Sequence, residues 1–298
     1  MEAGDGWIVT GAQAWKVADH YARSDRDALE QEVVAMRGQI HAARVTEANY
    51  YVALFDASLA LEDARLEVAE QLTQRALEVG TALGDPIVQN QYGAQLLAVR
   101  IAQGRGVELE PVIEMIAAAE PGIPWRLTLP AVLADAGRAQ EAADELDRLM
   151  DGGIRDLKQD GNYQVFLLLL SSAAHVLRHE RTAGWARDRL RPYRGVRFTG
   201  GVFAVTAGTG SAALGLAEAT LGRFDDAEAL LLEALDSDRR VRSRYWEART
   251  GSWLAGVYAL RGAVGDAERA AETAALARLI AEPAGLGSVL LHLGRHGL

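Results

Sequence analysis

LGRFDDAEALLLEAL (221–235) reads as a helix end, a glycine turn and the start of a new amphipathic helix. The same phrase returns as DAGRAQEAADELDRL (135–149) and LRGAVGDAERAAETA (260–274). In each copy an alanine follows the turn glycine: Ala227 after Gly222, Ala142 after Gly137, Ala267 after Gly262. On one frame the small-residue anchors fall at Ala69, Leu109, Ala142, Gly184, Ala227 and Ala267, in steps of 40, 33, 42, 43 and 40. A small side chain there lets the second helix of a pair approach the first, where a bulky one would overpack the contact. A repeat of this length predicts stacked helix pairs. The expected fold is therefore all-α: a tetratricopeptide-like right-handed superhelix of six to seven helix pairs, forming one domain over 1–298. The unit is longer than the roughly 34 residues of the standard repeat. The extra length falls in the first helices and in the links.

Helical spacing of apolar residues continues along nearly the whole chain. It predicts helices at about 8–20, 26–43, 46–61, 65–82, 86–103, 109–119, 124–136, 139–151, 162–178, 182–191, 201–221, 225–236, 243–261 and 266–281. Gly84, Gly104, Gly137, Gly222 and Gly262 stand where helix-ending glycines belong. The irregular stretch DGGIRDLKQDG (151–161) is a candidate hinge, and the tail after Pro283 reads as a final partial helix.

The 298 residues are 49% apolar and 24% charged, with net charge −10 and no cysteine. That composition is globular. It leaves no disulfide, thiolate metal site or cysteine nucleophile, and the negative charge disfavours nucleic acid and acidic membranes. No signal peptide is legible, and the apolar run around 165–170 is too short to span a bilayer. A cytoplasmic protein is expected.

Several segments resemble a known family. YGAQLLAVRIAQGR (92–105), IPWRLTLPAVLADAGRAQEA (123–142), RPYRGVRFTGG (191–201), LGLAEATLGRFDDAEALLLEAL (214–235) and RYWEART (244–250) cover about half of the chain. Their order is similar to the C-terminal tetratricopeptide-like region of bacterial LuxR-type and MalT-like ATP-dependent transcriptional regulators and related class III adenylate cyclases. The resemblance implies a sensory or scaffolding arm whose output domains lie elsewhere. No G-x-x-x-x-G-K-[ST] phosphate loop is present here. The chain is then a fragment of such a regulator or a free-standing relative.

The first helices of the pairs open with polar and aromatic clusters, and in such a superhelix they line the concave face. That face maps to Tyr51, Phe55, Gln91, Gln95, Tyr163, Phe166, Thr206, Thr209, Tyr245 and Arg249. Aromatic area with a few hydrogen-bonding groups suits a peptide, a protein or a small-molecule effector. The same residues can equally pack between helices. The expected function is non-catalytic binding in this groove. The alternative is a free-standing small-molecule-binding protein or enzyme of secondary-metabolite type. Asp56, set among apolar residues in YVALFDASLAL, is the one candidate acid or base; its plainer role is an ion pair with an arginine on a neighbouring helix.

Other signals weigh less. Arginines bunch at 187–198 and 239–249, as an anion-binding patch or as solvated helix ends. His175 and His179 have i, i+4 spacing, but HVLRHE supplies no third ligand, so no metal or other cofactor is expected. The glycines of GGVFAVTAGTGSAALG have no phosphate-loop lysine. Gly208, Gly210 and Gly215 are read as close helix contacts or as room for a ligand. GLGSVLLHLG (285–294) is a candidate homodimer contact.

Overall fold

The computed structural model describes residues 3–43, 46–119, 124–154 and 157–298. Fifteen α-helices lie among them: α1 (Ala3–Ala22), α2 (Arg26–Ala43), α3 (Thr46–Glu62), α4 (Leu66–Thr81), α5 (Ile87–Ala102), α6 (Glu110–Ala119), α7 (Leu129–Asp135), α8 (Ala139–Arg148), α9 (Tyr163–Leu177), α10 (Glu180–Leu190), α11 (Gly210–Thr220), α12 (Phe224–Arg240), α13 (Arg244–Arg261), α14 (Asp266–Ala284) and α15 (Gly287–Arg295). Between α10 and α11 stands a two-stranded antiparallel hairpin, β1 (Arg197–Gly200) and β2 (Val205–Thr209). The predominantly helical class holds.

Odd and even neighbours pack as pairs: α1 on α2, α3 on α4, α7 on α8, α9 on α10, α11 on α12 and α13 on α14. All five helix-ending glycines have positive φ. Ala69, Ala142 and Ala227 are fully buried, as close helix contacts require. Three anchors need correction. Ala267 is exposed, Gly184 is only half-buried, and so is Leu109, which ends a 3₁₀ turn; buried alanines close to the first two are Ala270 and Ala183. The hinge stretch begins as a π-helical turn (Leu149–Gly153), and residues 155–156 within it lie outside the described residues. Pro283 does not end its helix, since α14 runs on to Ala284.

The helix expected over 201–221 is wrong in its first half, which is the turn and second strand of the hairpin. Val202 and Phe203 at its tip have φ of 56° and 67°, a left-handed geometry that bulky residues rarely adopt. Surrounding contacts hold them there. Phe203 is fully buried, with its ring 4.9 Å from Tyr21 and 5.8 Å from Phe55. The Ser58 hydroxyl lies 2.9 Å from the Phe203 carbonyl oxygen and 2.8 Å from that of Ala204. Gly210 starts α11 where the backbone presses on the Tyr193 carbonyl, leaving no room for a Cβ.

Segments far apart in sequence also meet. Arg242, just after α12, pairs with Asp27 of α2 at 2.8 Å. Arg295 of α15 donates to the carbonyl of Ala134 at 2.8 Å and pairs with Asp135 at 3.4 Å. α15 packs on α5 and α7 as well as on α13 and α14. Contacts therefore reach well beyond nearest-neighbour pairs. The candidate dimer segment spends its apolar side on this closure: Leu286, Val289 and Leu293 are fully buried within the same chain, while Leu291 is exposed.

Candidate functional site

A half-open cavity of about 300 Å³ lies between α5, α9 and the hairpin. α3 and α13 complete its wall, together with a 3₁₀ turn over Pro124–Thr128. α3, α9 and α13 are first members of their pairs, while α5 packs on α4, and the hairpin lies against α5 and α9. The surface is mostly apolar, formed by residues such as Leu97, Ala98, Trp125, Val165, Phe166 and Trp246. Asn90, Asn162 and Thr206 bring polar groups to it.

Four of the residues read from the sequence meet here: Gln91, Phe166, Thr206 and Tyr245. Gln91 is already committed. Its Oε1 accepts from the Tyr50 hydroxyl and its Nε2 donates to the Gly201 carbonyl at 2.8 Å, pinning the hairpin to α5. Burial pushes the Tyr50 phenol well up, so it donates at any physiological pH. Thr206 accepts from Trp246 Nε1 at 3.3 Å, and its hydroxyl proton remains available to a guest.

The other candidates lie elsewhere. Tyr51 and Phe55 stack within the apolar cluster around α1 to α3. Gln95 donates to the Leu54 carbonyl at 2.8 Å and lies 3.1 Å from Ser58 Oγ, bracing the support of the hairpin tip. Tyr163 is buried edge-on to Tyr193. Thr209 caps α11 by accepting from Ala212 N at 3.0 Å. Arg249 is buried, donating to the Ser288 carbonyl at 2.6 Å beside Asp135. Asp56 is paired with Arg37 of α2 away from the cavity; burial raises its pKa, against the pull of that arginine.

Trp125, Asn90, Asn162 and Trp246 were missed as site residues. The last three stand next to Gln91, Tyr163 and Tyr245, one position out of phase with the mapped face. Trp125 stands at the start of the helix expected over 124–136, which begins instead as a 3₁₀ turn over Pro124–Thr128, so α-helical phase does not place it.

The remaining signals resolve as follows. Most arginines of the candidate basic patch are paired: Arg187 with Glu218, Arg194 with Glu233, Arg239 with Glu247 and Arg240 with Asp236. Arg197 is not a surface group at all. Its side chain is fully buried, donating to Asp238 at 2.7 Å and to the Tyr21 hydroxyl at 2.9 Å, with Glu62 3.5 Å away. His175 and His179 do not share a helix face. α9 ends at Leu177, and His179 caps α10 by accepting from Thr182 N at 3.3 Å. The histidine that comes to His175 is His292, with His296 next to it. Gly208 lies on β2 against Trp246, and Gly215 lies inside α11 against Leu231, both at close approach. No helix among the described residues is long and apolar enough to cross a membrane. No protein-family model matches the chain, and neither a curated protein nor a solved structure does.

Proposed function

We propose that the chain is a non-catalytic binding module that holds a small, largely apolar effector in the cavity between α5, α9 and the hairpin. The observation that carries this reading is the cavity itself. Its volume of about 300 Å³ lies at the small end of ligand sites, which run roughly from 300 to 1,000 Å³. Its apolar wall supplies affinity, and Asn90, Asn162 and Thr206 supply orientation. The paired helices and recurring buried alanines support a tetratricopeptide-like right-handed superhelix in one domain, with first helices facing inward. The hairpin fills much of that inner face, which favours a small molecule over a peptide or protein in the groove. The ordered segments resembling LuxR-type and MalT-like regulators support a sensory role, in which effector binding shifts an attached or partner protein between states. The enzymatic alternative has Asp56, Arg249, Tyr163 and Tyr245 as its polar contacts; Tyr245 lines the cavity, whereas Asp56, the candidate acid or base, and Arg249 do not.

The test is thermal unfolding and native mass spectrometry of the full chain with a library of small apolar molecules and host-cell extract. Ala98 lies on the α5 wall, and Ala98→Phe fills the space. The parent protein is expected to take up one molecule per chain and to melt higher. Ala98→Phe is expected to fold and lose that shift. A parent that takes up nothing, or a variant that keeps the full shift, overturns the reading.

A further inference from the structure

We propose that His175, His292 and His296 form a binding site for a divalent transition metal of the zinc class. One ring nitrogen from each can be chosen so that all three lie within 4.8 Å of one another. His175 comes from the last turn of α9 and His292 from α15, while His296 directly follows α15. The grouping therefore exists only in the folded chain. Its ring centroids are 6.0 Å apart for His175 and His292, and 5.0 Å for His292 and His296.

Two features separate this cluster from histidines that merely pack. First, its nitrogens are not used internally. Nδ1 of His175 and both ring nitrogens of His292 are buried without a hydrogen-bond partner. Buried polar atoms are normally satisfied, and an orphaned group calls for an explanation such as an ion. Second, the backbone makes room for them. A Cβ on Gly256 of α13 would lie 2.9 Å from Nε2 of His296 and 3.0 Å from Nε2 of His292.

Three imidazoles and no thiolate suit zinc, copper or nickel better than magnesium or calcium. Tetrahedral zinc is bound at about 2.0–2.1 Å from each nitrogen, so small ring rotations must draw the three together. Three protein ligands leave one position open. The charges around the site bear on what fills it. Arg178, Arg249 and Arg295 all act on these histidines. Asp135, between Arg249 and Arg295, offsets only part of that charge. Net positive surroundings oppose a bare dication, so a bound metal here would call for an anionic fourth ligand to offset that charge.

The experiment is zinc titration of the full, metal-stripped chain by calorimetry, with cobalt(II) substitution followed by visible absorption. One zinc per chain is expected, with the intense cobalt bands of a tetrahedral nitrogen-rich site. His296 is the least buried of the three, so His296→Ala leaves the core intact. It is expected to weaken zinc by more than the roughly 10–100-fold that loss of an outer-shell partner produces. Gly256→Ala keeps every nitrogen and crowds the rings, and is expected to weaken zinc at least tenfold. His179→Ala is expected to change nothing. Cobalt spectra of the parent keep the proposal testable if a variant misfolds. A parent with no stoichiometric zinc, octahedral cobalt spectra, or zinc lost on His179→Ala and kept on His296→Ala overturns it.

Discussion

Arg197 shows what a single buried charge does in this chain. It comes from β1, and its partners Tyr21, Glu62 and Asp238 come from α1, α3 and α12. The Tyr21 hydroxyl donates on to Glu62 at 2.8 Å, and Thr250 of α13 donates to Asp238 at 2.7 Å. Five elements thus share one cluster with two carboxylates and one guanidinium. Removing the cation leaves two like charges buried together. Breaking a buried ionic group from one side costs about 3–5 kcal/mol. Arg197→Met is expected to lower stability by that amount, read as a fall in the urea midpoint. A loss under about 1 kcal/mol would mean that the cluster does not couple these elements. In the sequence Arg197 stands among other arginines and reads as part of a surface patch. Nothing local separates it from Arg194, because its partner Tyr21 is 176 residues away.

At the scale of elements, the hairpin is both the misread segment and the one that shapes the cavity. Its tip places Val202 and Phe203 in the left-handed region, a conformation costing roughly 1–2 kcal/mol per residue. That cost is offset by burying the Phe203 ring between Tyr21 and Phe55. Phe203→Ala removes the anchor and leaves the strain. The expected loss is about 3–5 kcal/mol, read by thermal or denaturant unfolding. Peptide amides of 197–209 should also gain hydrogen exchange before the rest of the chain. Loss of stability with unchanged exchange there would show that Phe203 is core packing alone. The helix pairs were legible because their apolar spacing, turn glycines and alanine anchors agree with one another. The hairpin was not, although RFTG–GVFA–VTAGT carries β-branched and aromatic residues around a Gly-Gly pair, a hairpin signal. Alanines and glycines on either side blur the period, so the helical pattern of α11 runs on without a visible break into 201–209. The candidate site was legible only in part for the same reason. Gln91, Phe166 and Tyr245 follow from helix phase, whereas the phase fails for Thr209 and for Trp125, which stands in a 3₁₀ turn.

At the scale of the whole molecule, the question is whether the stack behaves as an open array or as a closed body. In an open array each unit contacts its neighbours, and a lesion at one end is felt locally. Here α15 returns to α5 and α7, and Arg242 reaches back to Asp27. The return rests on close backbone approach: Gly287 sits against the Gln103 carbonyl with no space for a Cβ, and the Leu291 side chain approaches Gly104. Gly287→Val therefore wedges α15 away from α5. Overpacking of this kind costs about 1–3 kcal/mol. The distinguishing readout is where the effect appears. Closure predicts faster amide exchange in α5 (87–102) and α7 (129–135) as well as in α13 to α15. An open stack predicts change only in the last three helices. Because α5 is also a wall of the cavity, closure further predicts that Gly287→Val weakens small-molecule uptake from a position that does not line the site. Exchange confined to the C-terminal helices, with uptake unchanged, would show that the return of α15 to α5 and α7 adds contacts without coupling them.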